Sequence, residues 1–79
     1  MGTYRLDYIA TDLDTDRERV VDKDWFDAPD DAAAKREAAR LMHAWGRPKD
    51  PGTQHRSGGL WTRRGNDTAG TYVGNVWMR

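Results

Sequence analysis

The chain contains no cysteine, and that removes several possibilities at once. There is no disulfide framework, no thiolate metal site and no thiol nucleophile. The fold is thus independent of redox state, which suits a reducing cytoplasmic setting. Histidine is scarce, with His43 and His55 alone, so a zinc site of about four ligands has too few nitrogen donors. Ser57 is the only serine, and Arg56-Ser57-Gly58-Gly59 lacks the G-x-S-x-G context of a hydrolase nucleophile. No phosphate-binding G-x-x-x-x-G-K-[ST] loop is present. No apolar run approaches the roughly 20 residues that span a bilayer. The opening Met-Gly-Thr-Tyr-Arg-Leu has no secretory apolar core, and Leu6 stands where a myristoylation signal wants Ser or Thr. The expectation is a non-enzymatic chain with no cofactor, no metal and no membrane partner.

What is present is unevenly distributed charge. From Met1 to Asp31 ten acids face four bases, a net −6, and from Ala32 to Arg79 nine bases face three acids, a net +6. The formal charge of zero conceals a polarised polypeptide, which bears on partners rather than on fold. At 79 residues the chain makes one domain. A domain of that size buries only about 60 % of its unfolded surface, so a partner chain is one remaining means of gaining stability.

Period-two alternation over Thr3–Thr11 puts Tyr4, Leu6 and Tyr8 on one side of a strand and Arg5, Asp7 and Ile9 on the other. Asp12–Glu18 reads as a connecting loop and Arg19–Phe26 as a second strand. Its inward register stays open between Val20/Phe26 and Val21/Trp25. Asp27 is placed as the N-cap of a helix over 28–45, with Pro29 in the first turn and Asp30 and Asp31 at the positive end of the dipole. That segment is alanine-rich and free of β-branched residues, and Gly46 and Pro48 stop it. Ala34, Ala38, Leu41 and Trp45, with Met42 at the edge, form the expected buried stripe. A loop over 46–59 and a hairpin over 60–78 complete the chain. In its last strand Tyr72, Val76 and Met78 fall on one side, with Val73 and Trp77 on the other. The predicted fold is α+β, in the order β-β-α-β-β. It is a two-layer domain with a four-stranded antiparallel sheet and one helix on one face. Strand order and the covered face stay open.

Three surfaces are candidates for function. Arg36, Arg40, His43 and Arg47 form a row opposite the buried stripe, with Lys49 and Arg56 able to extend it. Guanidinium forks suit phosphate, so the first expectation is a binding module for nucleic acid or another phosphate ligand. The ordinary alternative is a solvated face whose bases suit the helix dipole. Trp61, Arg63, Val73 and Trp77 share a sheet face in the simplest register. This is a second surface, for stacking bases or for joining two copies as a homodimer. Asp12, Asp14 and Asp16 begin like a calcium loop. Arg17 replaces the turn glycine and Lys23 the bidentate glutamate, so the reading there is a solvated hairpin tip. The acidic hairpin is the third surface, for docking a basic groove on another protein as an inhibitor or adaptor.

Overall fold

The computed structural model describes residues 2–46, 52–62 and 70–77, and the architecture is α+β. β1 (Gly2–Asp12) and β2 (Glu18–Ala28) precede α1 (Asp31–Trp45), and β3 (Thr53–Thr62) and β4 (Thr71–Trp77) follow it. The four strands form one antiparallel sheet in the order β2-β1-β3-β4. The helix lies on one face.

Tyr4, Leu6 and Tyr8 of β1 point at the helix as their alternation requires, with Leu60 of β3 and Val76 of β4 beside them. The helix answers with Ala34, Ala38 and Met42, all buried, while Leu41 and Trp45 are only half-buried. The stripe is therefore rotated toward Met42 relative to the sequence expectation. The cause lies at Gly58. A Cβ built there would stand 2.8 Å from Leu6 Cδ1 and 3.0 Å from Met42 Sδ, so the missing side chain lets Met42 sink onto the sheet. The bulkier Trp45 stays at the margin.

The helix begins later than the cap at Asp27 predicts. Asp30 is the N-cap, with extended backbone, and its carboxylate accepts from the Ala33 N–H at 2.8 Å. Pro29 disfavours helical backbone at Ala28, so Ala28 stays extended and β2 reaches it, pairing with Gly2. At the other end Gly46 takes φ 71°, the left-handed stop expected of it.

Half of the segment expected as a loop over 46–59 is strand. β3 starts at Thr53 and pairs with β1 from Asp12 onward. Its glycines and polar residues carry no strand signal, but β1 supplies ladder partners from Thr53 and β4 adds them on the other side from Ser57. Of the residues expected to turn the last hairpin, 65–70, all but Gly70 lie outside the described set, as does Met78.

Tyrosine hydroxyls complete the core. Tyr4 donates to Asp31 Oδ1 at 2.7 Å, tying the first helical turn to β1, and its ring stacks on Phe26 at 5.9 Å. Tyr8 donates to the Asp24 carboxylate. Burial and the neighbouring acids push the Tyr8 phenol well above the ordinary tyrosine range. Trp45 packs against Tyr8 and lies flat on His55, whose Nδ1 donates to the Gly46 carbonyl at 2.8 Å. His55 is thus half-buried in an aromatic stack rather than a surface loop residue.

Candidate functional site: the open face of the sheet

With the helix on one face, the register of the ladders decides what lies on the other. Arg5 of β1 sits opposite Trp25 of β2 and Trp61 of β3, and Trp61 sits opposite Tyr72 of β4. One transverse row, Trp25–Arg5–Trp61–Tyr72, therefore crosses all four strands. The next row is Lys23–Asp7–Gly59–Asn75, and beyond it Val20–Ile9–Ser57–Trp77.

The Arg5 guanidinium lies between two indoles, 5.7 Å from the Trp25 ring and 5.4 Å from the Trp61 ring. Each contact draws on the negative face of the ring, and the Arg5 side chain is left only partly exposed. Asp7 neutralises it. Arg5 Nε is 2.8 Å from Asp7 Oδ1, and Nη2 donates to Oδ2 at 3.1 Å. The Nε contact is bent, so its attraction is chiefly ionic. Asp7 is buried although it lies on the face without a helix. Trp61 meets Tyr72 edge-on at 5.1 Å.

The outer aromatics are left to solvent. Trp25 is 52 % exposed, Tyr72 49 % and Trp77 63 %, and Val20 is similarly open. Arg5, Lys23 and Asp7 are the charges in these rows, and Asp27, opposite Thr3 one row further out, brings these described residues to two bases and two acids. Asp27 accepts a hydrogen bond from the Thr3 hydroxyl at 3.1 Å.

This face contains Trp61 and Trp77, as the sequence suggests, but Val73 is not with them. A bulge between Leu60 and Trp61 sets Val73 as an extra residue in β4. The side chain turns to the helix side and packs on the core, while Tyr72 takes the open side. Arg63 lies outside the described residues. Neither Arg5 nor Tyr72 carries a functional signal in the sequence, whereas Trp25 is a candidate interface indole and Asp7 a member of the acidic surface. The alternation of β1 already separated Arg5 and Asp7 from the core, but only the cross-strand register shows which residues flank them.

The helix row is where the sequence places it. Arg36, Arg40 and His43 are exposed, His43 at the margin that borders β4, and Arg47 and Lys49 lie outside the described residues. Arg40 is engaged by Glu37 one turn earlier, through Nε at 3.1 Å to both carboxylate oxygens and through Nη2. This pairing raises the arginine pKa and lowers that of the glutamate. One fork of the row is thus already occupied by a carboxylate.

The acidic hairpin tip is organised by its own backbone. Asp12 Oδ1 accepts from Asp14 N at 2.9 Å and Thr15 N at 3.3 Å, and its carbonyl accepts from Asp16 N at 2.7 Å. Asp16 takes φ 56° to close the turn. Asp14 and Asp16 are exposed, and no cluster of three metal-ligating side chains occurs among the described residues. No described helix is long and apolar enough to cross a membrane.

The chain matches no protein-family model, no curated protein and no solved structure.

Proposed function

We propose that this is a non-catalytic binding module whose open sheet face docks against a second copy of the chain. The observation that carries the reading is Trp25 and Trp77, both more than half exposed at opposite edges of one face whose described bases, Arg5 and Lys23, are matched by Asp7 and Asp27. Aromatic side chains without net charge mark the centre of protein interfaces. Nucleic acid would require a cationic surface to displace counterions. Among the described residues the bases of this face are matched by acids, and its flanking strand β2 carries Glu18, Asp22, Asp24 and Asp27 against Arg19 and Lys23.

Geometry favours a two-fold axis along the strands. Such an axis lays β2 of one copy over β4 of the other, so the acidic edge meets a strand without charge. Trp25 then faces Tyr72, and Val20 faces Trp77. Strands at about 4.8 Å spacing and about 3.4 Å per residue give each face a footprint of roughly 450 Å². Two such faces approach the roughly 1,000 Å² of a specific interface. The product is an α-β-β-α sandwich in which aromatics from both sheets interdigitate.

Sedimentation equilibrium over a concentration series tests this. A dimer at micromolar concentration is expected, and a monomer at every accessible concentration overturns the reading.

A second reading rests on the exposed helix row. Arg36 and His43, with Arg40 if Glu37 releases it, could hold a phosphate-bearing ligand such as nucleic acid. Binding to a labelled single-stranded oligonucleotide would then weaken steeply with salt and vanish in Arg40→Glu.

A further inference from the structure

The two edges of the sheet are guarded differently. β2 presents Glu18, Arg19, Asp22, Lys23, Asp24 and Asp27, a charged edge of the kind that discourages strand addition. β4 runs Thr-Tyr-Val-Gly-Asn-Val-Trp, with no charge and no proline. Among the described residues no strand pairs with its outer side. Alternate backbone groups of such an edge point away from the sheet and form a template for one more strand.

Beside that edge runs a groove of about 490 Å³. It is lined by Lys35, Ala39, Met42 and His43 from α1 and by Asn75, Val76 and Trp77 from β4. Its apolar floor is Met42 and Val76, both buried. Its helical wall is Lys35, Ala39 and His43, which recur every fourth residue and so stand in one line. Two of them carry or can carry positive charge, and the small one lies between. The Lys35 stem reaches Gly74, where an added Cβ would stand 3.9 Å from its Cε.

We propose that this groove binds an extended acidic peptide, which adds to β4 as a fifth strand. The periods of the two elements agree. Every fourth residue of a helix rises about 6.0 Å, and every second residue of a strand about 6.8 Å. A peptide on β4 therefore brings its groove-facing side chains to Lys35, Ala39 and His43 in turn. The sequence that fits is acid–x–apolar–x–acid, with carboxylates at Lys35 and His43 and an aliphatic group over Ala39. Main-chain hydrogen bonds to β4 supply the affinity and the side chains the selectivity, as in other strand-addition sites. This site lies along the β4 edge on the helix side and shares Trp77 with the open face, but it does not include Trp25.

The test is fluorescence anisotropy with the labelled heptapeptide Thr-Glu-Thr-Val-Thr-Glu-Thr and its counterpart with lysine for both glutamates. The acidic peptide is expected to bind about tenfold more tightly. Lys35→Glu should abolish that preference, and Ala39→Trp, at an exposed position, should block binding by filling the groove. Amide exchange should slow along β4 when the acidic peptide is present. Repeating the titration in Trp25→Ala separates this site from association through the open face, because the groove does not include Trp25. Equal affinity for the two peptides, binding that survives Ala39→Trp, or protection at β2 instead of β4 overturns the proposal. So does the absence of binding at millimolar peptide, the outcome expected if the β4 edge pairs only with a second copy.

Discussion

Replacing Trp25 with alanine separates the open face as an interface from the open face as a structural layer. About half of the indole is exposed in the monomer. A tryptophan offers about 200 Å², so roughly 100 Å² of apolar surface per copy is available for burial. At about 25 cal/mol/Å² that corresponds to about 2.5 kcal/mol per copy, and the two-fold counts it twice. Association recovers only part of transfer energies, because ordering and desolvation oppose it. A net loss of about 2–3 kcal/mol is the reasonable expectation. It corresponds to a roughly 30- to 150-fold weaker dimer. The monomer itself should suffer little. Its losses include the ring contact to Arg5, worth about 0.5–1 kcal/mol at an exposed site, while the Arg5 contact to Trp61 remains. The assay is sedimentation equilibrium for the dissociation constant, with thermal unfolding of the dilute monomer as the control. A dissociation constant unchanged by the substitution would refute the reasoning. So would a fall in monomer stability as large as the fall in association, since Trp25 would then be a core residue.

Further consequences follow from the packing. Gly58→Val should destabilise the fold by about 1–3 kcal/mol in denaturant titrations, because its side chain would push into Leu6 and Met42. Met42→Ala should cost about 2–4 kcal/mol by the same measurement, since the buried thioether fills the space that Gly58 leaves. Asp30→Ala removes the N-cap and should cost about 1 kcal/mol, with Asp30→Asn largely preserving stability. Tyr8 supplies a pH dependence. Its folded pKa lies above the unfolded value of about 10, so its contribution is complete below that pH and is lost as pH rises above it. Denaturant midpoints should fall above about pH 10 in the wild type more steeply than in Tyr8→Phe, and equal slopes would count against the buried hydroxyl.

Several elements were legible from local chemistry alone. The alternation of β1 depends only on the pleat, so Tyr4, Leu6 and Tyr8 were assigned to one side without knowledge of any neighbour. The helix announces itself through alanine content, acids at its start and Gly46 at its stop, all interactions within a turn or two. Its first residue was misplaced by three because two aspartates competed for the cap, and the Ala28–Gly2 pairing favoured the later one. The placement of Arg36, Arg40 and His43 on the solvent side follows from the same helical period.

Tertiary structure alone decided the rest. The segment 53–59 has little strand propensity and became a strand because β1 pairs along it and β4 joins from Ser57 onward. The bulge near Trp61 changed the parity of β4, and one extra residue there sends Val73 inward and Tyr72 outward. The Trp25–Arg5–Trp61 sandwich joins residues far apart in the chain, through ladders whose order no local preference encodes. The amino-acid sequence by itself determined the elements and the inner side of β1, because those depend on bonds and contacts spanning a few residues. Only the folded sheet determined which strands are neighbours, which edge is left without charge and which rings share an open face. Register is a long-range choice, set by burying one face under the helix, and its consequences for the opposite face are not written in any single segment.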